Sequence, residues 1–235
     1  MALVSLGLQK TSLIDYPGEI ATVLFTPGCN LHCPYCHNPE LVSGEIPEDF
    51  VPIEAVLSLL AKRRGMVRAV CITGGEPLLH EELPDLIREI RGMGFLVKLD
   101  TNGTLPRRLA SVKVDYIAMD IKTAPSRYGL VLCDGTGAAA GAAVAKTVEQ
   151  SVRYIIESGT PHEFRTTLVP GIVEERDMEL IAELIRGCDR YVGAMFRPGK
   201  TLSPAYRTAE PYTKTAAQGL LSFCSARGIR TELRE

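Results

Sequence analysis

The stretch Ala69-Val70-Cys71-Ile72-Thr73-Gly74-Gly75-Glu76-Pro77, with its continuation Leu83-Pro84-Asp85-Leu86-Ile87-Arg88-Glu89-Ile90, decides how this chain is read. Its first four residues are apolar without alternation, the pattern of a strand buried on both faces. A polar turn rich in glycine follows. Leu83, Leu86, Ile87, Ile90 and Met93 then fall at helical spacing, with Glu81 and Glu82 upstream and Gly94 as a stop. Strand, polar loop and amphipathic helix make half of a βαβ unit.

The same order recurs on both sides. Apolar runs stand at Ile20–Phe25, Leu96–Leu99, Tyr116–Met119, Phe164–Val169 and Tyr191–Phe196, with a short last run at Ile229–Leu233. Helical stripes stand between them: Ile53, Val56, Leu57 and Leu60; Val148, Val152, Ile155 and Ile156; Met178, Ile181 and Ile185; Ala216, Leu220, Phe223 and Cys224. Repeated βα units imply an α/β fold with a parallel sheet, open or curled into a barrel, and either form places functional groups at the carboxyl ends of the strands. The Gly/Ala-rich segment 133–143 breaks the rhythm and reads as a mobile loop running into a helix. No repeat or linker divides the chain, so one domain over 1–235 is expected.

Composition narrows the class. Of 235 residues, 46% are hydrophobic and 23% charged, which suits a globular protein. The net charge of −2 offers no bulk attraction to nucleic acid or an anionic membrane. The longest apolar runs are strand-length, too short to span a membrane, and the start lacks the pattern of a secretory signal. Seven cysteines, an odd number without a regular framework, suit a reducing cytoplasmic compartment.

Three of those thiols sit together in Thr26-Pro27-Gly28-Cys29-Asn30-Leu31-His32-Cys33-Pro34-Tyr35-Cys36-His37-Asn38-Pro39, at spacing C-x3-C-x2-C after a strand. A structural zinc site or an ordinary iron–sulfur cluster takes four protein ligands. Three thiolates on a four-iron cluster leave one iron open to a ligand. Zinc completed by His32 or His37, in a metal-stabilised binding module, is the alternative on spacing alone. Cys71 and Cys224 read as buried small hydrophobes, Cys133 and Cys188 as loop residues, and His80 and His162 as surface or loop residues.

Polar residues follow the other strands: Thr73-Gly74-Gly75-Glu76-Pro77, Asp100-Thr101-Asn102-Gly103, Asp120-Ile121-Lys122, and Arg165 within its strand. Each has a plain reading as a turn or an ion pair. Asp120 and Lys122 share one face of a strand by the period of two. Several such insertions and a thiol loop, all at strand ends, form the pattern of a site.

With those residues in view, C-x3-C-x2-C with Tyr35 before the last cysteine resembles the signature of the radical S-adenosylmethionine (SAM) superfamily, and Thr73–Pro77 resembles its glycine-glycine-glutamate motif. Asp15-Tyr16-Pro17-Gly18, His37-Asn38, Asp100–Gly103, Asp120–Lys122 and Arg165 with Pro170-Gly171 extend the likeness to activating enzymes of glycyl-radical enzymes. Gln9–Gly18 and Cys36–Leu41 look most like those acting on anaerobic ribonucleotide reductase. The resemblance implies a partial (β/α)6 barrel and a [4Fe–4S] cluster on Cys29, Cys33 and Cys36. It implies SAM chelating the fourth iron, reductive cleavage to a 5′-deoxyadenosyl radical, and hydrogen abstraction from a glycine of a partner enzyme. It implies an electron donor such as flavodoxin or ferredoxin. By the same resemblance Tyr35 and His37 contact adenine, Gly74 and Gly75 approach the methionine amino group, and Glu76 orients their turn. Asp100, Asp120 and Lys122, with Arg165 beside them, hold the ribose and amino-acid end. Asp15, in an N-terminal segment 1–18 at the site mouth, meets the partner's glycine loop.

One departure concerns the choice of partner. Pyruvate formate-lyase activating enzymes carry a late histidine that contacts SAM. Here the corresponding stretch is Met195-Phe196-Arg197-Pro198-Gly199, with Arg197 as a candidate substitute. Activation of a pyruvate formate-lyase type enzyme, or radical chemistry on a small molecule, are the alternative activities.

Overall fold

A computed structural model describes residues 3–132 and 137–235, folded as α/β with a mostly parallel sheet. Contacts divide them into two compact units. The first holds the chain up to Asn30, Glu40–Thr101 and Arg107–Ile117; the second holds Leu31–Pro39, Asn102–Pro106 and the described residues from Ala118 onward.

In the first unit β1 (Ser5–Tyr16) returns antiparallel to β2 (Glu19–Thr26) through Pro17 and Gly18, whose φ of +79° favours glycine. After the short helix α1 (Pro39–Val42), β3 (Val51–Pro52) pairs with Ser5 and Leu6. Helix α2 (Ile53–Lys62), β4 (Ala69–Gly74), helix α3 (Leu83–Gly92) and β5 (Leu96–Thr101) follow, then a short α4 (Pro106–Leu109). Strand β4 lies parallel to both β2 and β5. Val70, Ile72, Val97 and Leu99 are fully buried, as are Val56 of α2 and Ile90 of α3. Strand β1 was not evident in the sequence beyond its Pro-Gly turn, because its outer residues Gln9, Lys10 and Thr11 are exposed and break the apolar run.

The chain enters the second unit within β6 (Tyr116–Asp120). Helix α5 (Gly137–Ser158), β7 (His162–Leu168), α6 (Glu175–Leu184), β8 (Tyr191–Met195), α7 (Lys214–Ser225) and β9 (Thr231–Arg234) follow, with β8 parallel to both β7 and β9. Helix α7 packs on β8, β9 and α6.

The six main strands and five main helices expected from periodicity are all present. The Gly/Ala-rich segment differs: residues 133–136, Cys133 among them, lie outside the described residues, but 137–143 are helical. Alanine is the best helix former, and its repetition there outweighs the glycines. His80 and His162 also differ from expectation, being 3% and 4% exposed.

Candidate active site

In the first unit the loop leading to Cys29 is held by backbone. Gly75 N donates to the Thr26 carbonyl (2.9 Å), Glu76 N to that of Gly28 (2.8 Å), and Gly28 N to that of Leu41 (2.7 Å). This approach has no room for side chains. A Cβ on Gly75 would lie 1.8 Å from the Gly28 oxygen, and one on Gly74, at φ +124°, 2.3 Å from Thr26 N. Both glycines are thus required by loop packing alone, whatever ligand their backbone meets. The Glu76 side chain is fully buried in the turn; its Oε1 accepts from Leu78 N (3.0 Å) and from the Thr101 hydroxyl of β5 (2.9 Å). His80, just beyond, donates from Nε2 to the Pro27 carbonyl (2.8 Å). A carbonyl can only accept, so Nε2 carries the proton.

Asp100, at the end of β5, is 8% exposed and its Oδ1 binds the Lys98 ammonium. The Cys71 thiol completes the group, 3.7 Å from each. Asp15, near the end of β1, accepts from the Ser12 hydroxyl, whose oxygen also accepts the backbone N–H groups of Ile14 and Asp15 (3.2 Å each). Leu13 and Ile14 beside it are 74% and 85% exposed.

In the second unit Cys33 is buried and Cys36 half-buried, with Cys36 N donating to the Cys33 carbonyl (2.9 Å). The strap from Phe196 to Tyr206 fastens this loop. Leu202 N donates to the Cys36 carbonyl (3.1 Å) and Ser203 N to that of Pro34 (2.8 Å). The exposed His37 ring stacks on Phe196 (5.8 Å, 11°) and its Nε2 donates to the Arg197 carbonyl (2.7 Å). Tyr206 meets Phe196 and Tyr35 edge-on. The late stretch therefore supports His37 through an aromatic ring and a carbonyl. Tyr35 is buried, and its hydroxyl donates to the Lys122 carbonyl (3.3 Å). Burial, then the nearby Cys33, pushes the Tyr35 phenol well above its usual range.

Also in the second unit, the Asp120 carboxylate takes two cations: Lys122 Nζ on Oδ2 (2.9 Å) and Arg165 Nε on Oδ1 (2.8 Å). Burial alone would raise its pKa, but Arg165 and then Lys122 outweigh burial and hold it well below the usual carboxylate range. Burial would lower the Lys122 ammonium; Asp120, then Cys33 and Tyr35, hold it well above its usual value. The three side chains remain 20–28% exposed, so a ligand can reach them.

Sequence reading missed Lys98, His80 and the Phe196–Tyr206 strap. Lys98 had a usable signal, being two residues before Asp100 and so on the same strand face. The strap had none, since its bonds are mostly backbone.

A profile of the Radical SAM superfamily matches residues 23–185, and the chain belongs to that superfamily. It is 33% identical over 208 residues, 84% of this chain and 81% of the other, to a protein of Methanocaldococcus jannaschii provisionally described as a glycyl-radical enzyme activating enzyme. It is 38% identical over 78 residues, 33% of this chain and 34% of the other, to the 7-carboxy-7-deazaguanine synthase of Aquifex aeolicus. A crystal structure of a radical SAM methyltransferase from Sphaerobacter thermophilus shares the fold, with TM-score 0.64 and 20% identity over 93% of this chain and 67% of that one. The protein is therefore a radical SAM enzyme.

That family implies a [4Fe–4S] cluster and SAM. The donor chemistry fits: Cys29, Cys33 and Cys36 are thiols outside any disulfide. Among the described residues no group of three histidine, cysteine, aspartate or glutamate side chains stands at metal-binding separation. Among the described residues, too, no helix is long and apolar enough to cross a membrane.

Proposed function

We propose that this enzyme is a glycyl-radical activase and that its protein substrate is an anaerobic ribonucleotide reductase. The observation that carries the activase reading is the similarity to the Methanocaldococcus jannaschii protein over 84% of the chain. In this reading Cys29, Cys33 and Cys36 hold the cluster, which when bound and reduced supplies one electron for SAM cleavage. Tyr35 and His37 receive the adenine. Gly74 and Gly75 offer backbone to the amino group, and Glu76 keeps their turn rigid. Lys122 and Arg165 supply positive charge for the SAM carboxylate, while Asp100 and Asp120 accept hydrogen bonds. A flavodoxin or ferredoxin provides the electron.

Asp15 receives the extended glycine-bearing segment of the partner, its carboxylate accepting backbone N–H groups. Asp15→Asn is expected to keep iron content and SAM cleavage while lowering the glycyl-radical signal on the partner. Electron paramagnetic resonance of the partner beside a 5′-deoxyadenosine assay checks this. Equal loss of both would make Asp15 structural, and an undiminished radical yield would remove it from the protein interface.

The likeness to 7-carboxy-7-deazaguanine synthase favours a second reading, in which the substrate is a small molecule. SAM cleavage accelerated by such a molecule, with no radical on any glycyl-radical enzyme, would select it.

A further inference from the structure

Lys98 is out of character with the strand that carries it. It sits between Val97 and Leu99 in a parallel strand, and it is 1% exposed. Lysine is almost never buried without a partner, because moving an ammonium out of water costs several kcal/mol after relaxation. Its partner is two residues along the same strand, the Asp100 carboxylate. Register places Cys71 of β4 directly beside Lys98, and its Sγ lies 3.7 Å from both Lys98 Nζ and Asp100 Oδ1. Ammonium, thiol and carboxylate close a triangle across two adjacent strands.

Such a pair is poor value as a source of stability, since an apolar pair of the same volume often does as well. It does, however, fix direction. A carboxylate whose Oδ1 is held on two sides cannot rotate, and its remaining lone pairs keep one orientation. We propose that Lys98 is a positioning residue for SAM binding: it pins Asp100 so that the carboxylate meets the hydroxyl or ammonium hydrogens of the ligand without losing rotational freedom on binding. This deepens the proposed function and rests on its assignment of Asp100 to the SAM site. Lys98 itself touches no ligand in this proposal, and Cys71 serves as the third contact that keeps the ammonium in place.

The experiment is a double-mutant cycle on the reconstituted, unreduced holoprotein, with SAM affinity read by equilibrium dialysis. Iron content and thermal melting are recorded for each variant. Lys98→Met and Asp100→Asn are each expected to weaken SAM binding about tenfold, the scale of one charged hydrogen bond. The double variant is expected to stay within about twofold of Asp100→Asn alone, because the lysine acts only through the aspartate. Iron content should match the parent throughout. If Lys98→Met binds SAM normally while Asp100→Asn does not, the positioning role is wrong and the Asp100 assignment stands. If the losses multiply in the double variant, Lys98 acts independently and the proposal fails. If Asp100→Asn binds SAM normally, the assignment of Asp100 falls, and the proposal with it. Should Lys98→Met not load iron, Lys98→Gln carries the same cycle with the same outcomes, since it keeps a polar end in the buried site.

Discussion

Two carboxylate–lysine pairs in this protein have nearly the same local sequence and opposite surroundings. Lys98 and Asp100 alternate along β5, and Asp120 and Lys122 alternate at the end of β6. The first pair is closed, with side chains 2% and 10% exposed. The second is open, with side chains 21% and 28% exposed, and Arg165 joins it so that two cations share one carboxylate. A sealed pair can orient its carboxylate toward a hydrogen-bond donor, but it receives an added anion only at high cost, because that charge would have to leave water beside an ammonium already matched. A partly solvated cluster holding two cations can receive a carboxylate at low cost. The two-residue spacing is common to both, within β5 for Lys98 and Asp100 and running past the end of β6 for Asp120 and Lys122, and burial separates their uses. The turn at Gly74–Glu76 is a third kind of construction, made of backbone contact rather than charge.

These differences order the expected effects. Backbone construction should tolerate least. Gly75→Ala puts a methyl where the Gly28 oxygen stands, and the neighbour is backbone that cannot swing aside. Overpacking of this kind costs about 1–3 kcal/mol or more, which for a chain of this length lowers the melting temperature by roughly 2–12 °C. Because Gly28 leads directly to Cys29, iron loading should fall as well. Thermal melting and iron analysis after anaerobic reconstitution check both. A variant that melts and loads iron like the parent would show that the two loops are not in such close contact.

The open cluster should respond to charge and not to volume. Lys122→Ala is expected to leave iron content nearly unchanged, to lower the melting temperature modestly through loss of its pairing with Asp120, and to weaken SAM binding about tenfold or more, through loss of a charged hydrogen bond to the ligand carboxylate. The pH dependence has a definite sign. The pKa of Asp120 is depressed in the folded protein, so its stabilisation is fully present above its unfolded value of about 3.9 and is lost as pH falls through the lower folded value. That of Lys122 is raised, so its stabilisation is fully present below about 10.4 and is lost as pH rises through the higher folded value. Between those limits neither group should contribute a pH dependence to SAM affinity. A titration step in affinity near neutrality that disappears in Lys122→Ala would break the contrast between the two pairs.

Much of this was legible in advance, for identifiable reasons. The parallel strands announced themselves as unalternating apolar runs, since both faces are buried. The cysteine spacing and the glycine pair were visible because their chemistry leaves no choice of residue. Lys122 beside Asp120 was visible through strand periodicity. Hidden were features made by long-range backbone contact, such as the strap on the cysteine loop, and features at odds with the average habit of a residue. Lys98 lies inside an apolar run and His80 follows a turn, so composition assigns one to a strand core and the other to the surface. Lys98 is buried because Asp100 on its own strand and Cys71 on β4 take its ammonium, and His80 because the Pro27 carbonyl takes its Nε2 proton.

His80 offers the finest of these tests. Its Nε2 donates to the Pro27 carbonyl, two residues before Cys29, while its buried Nδ1 has no hydrogen-bond partner among the described residues. Replacement by leucine therefore has two opposing effects. It strands the Pro27 carbonyl, and it also removes a buried nitrogen that gains nothing where it is. The net loss should be small, on the order of 1 kcal/mol, or about 2–4 °C in melting temperature. Glutamine places an amide N–H close to the position of Nε2, so His80→Gln should recover most of that loss. The same ranking is expected in the rate at which a chelator strips iron from the reconstituted protein: parent and His80→Gln slow, His80→Leu faster. Stability restored by glutamine without slower iron release would mean that the bond holds the turn but not the cysteine loop. If leucine matched the parent in both measurements, the Pro27 contact would contribute nothing, and the closed region would depend on its glycines and its Lys98–Asp100 pair.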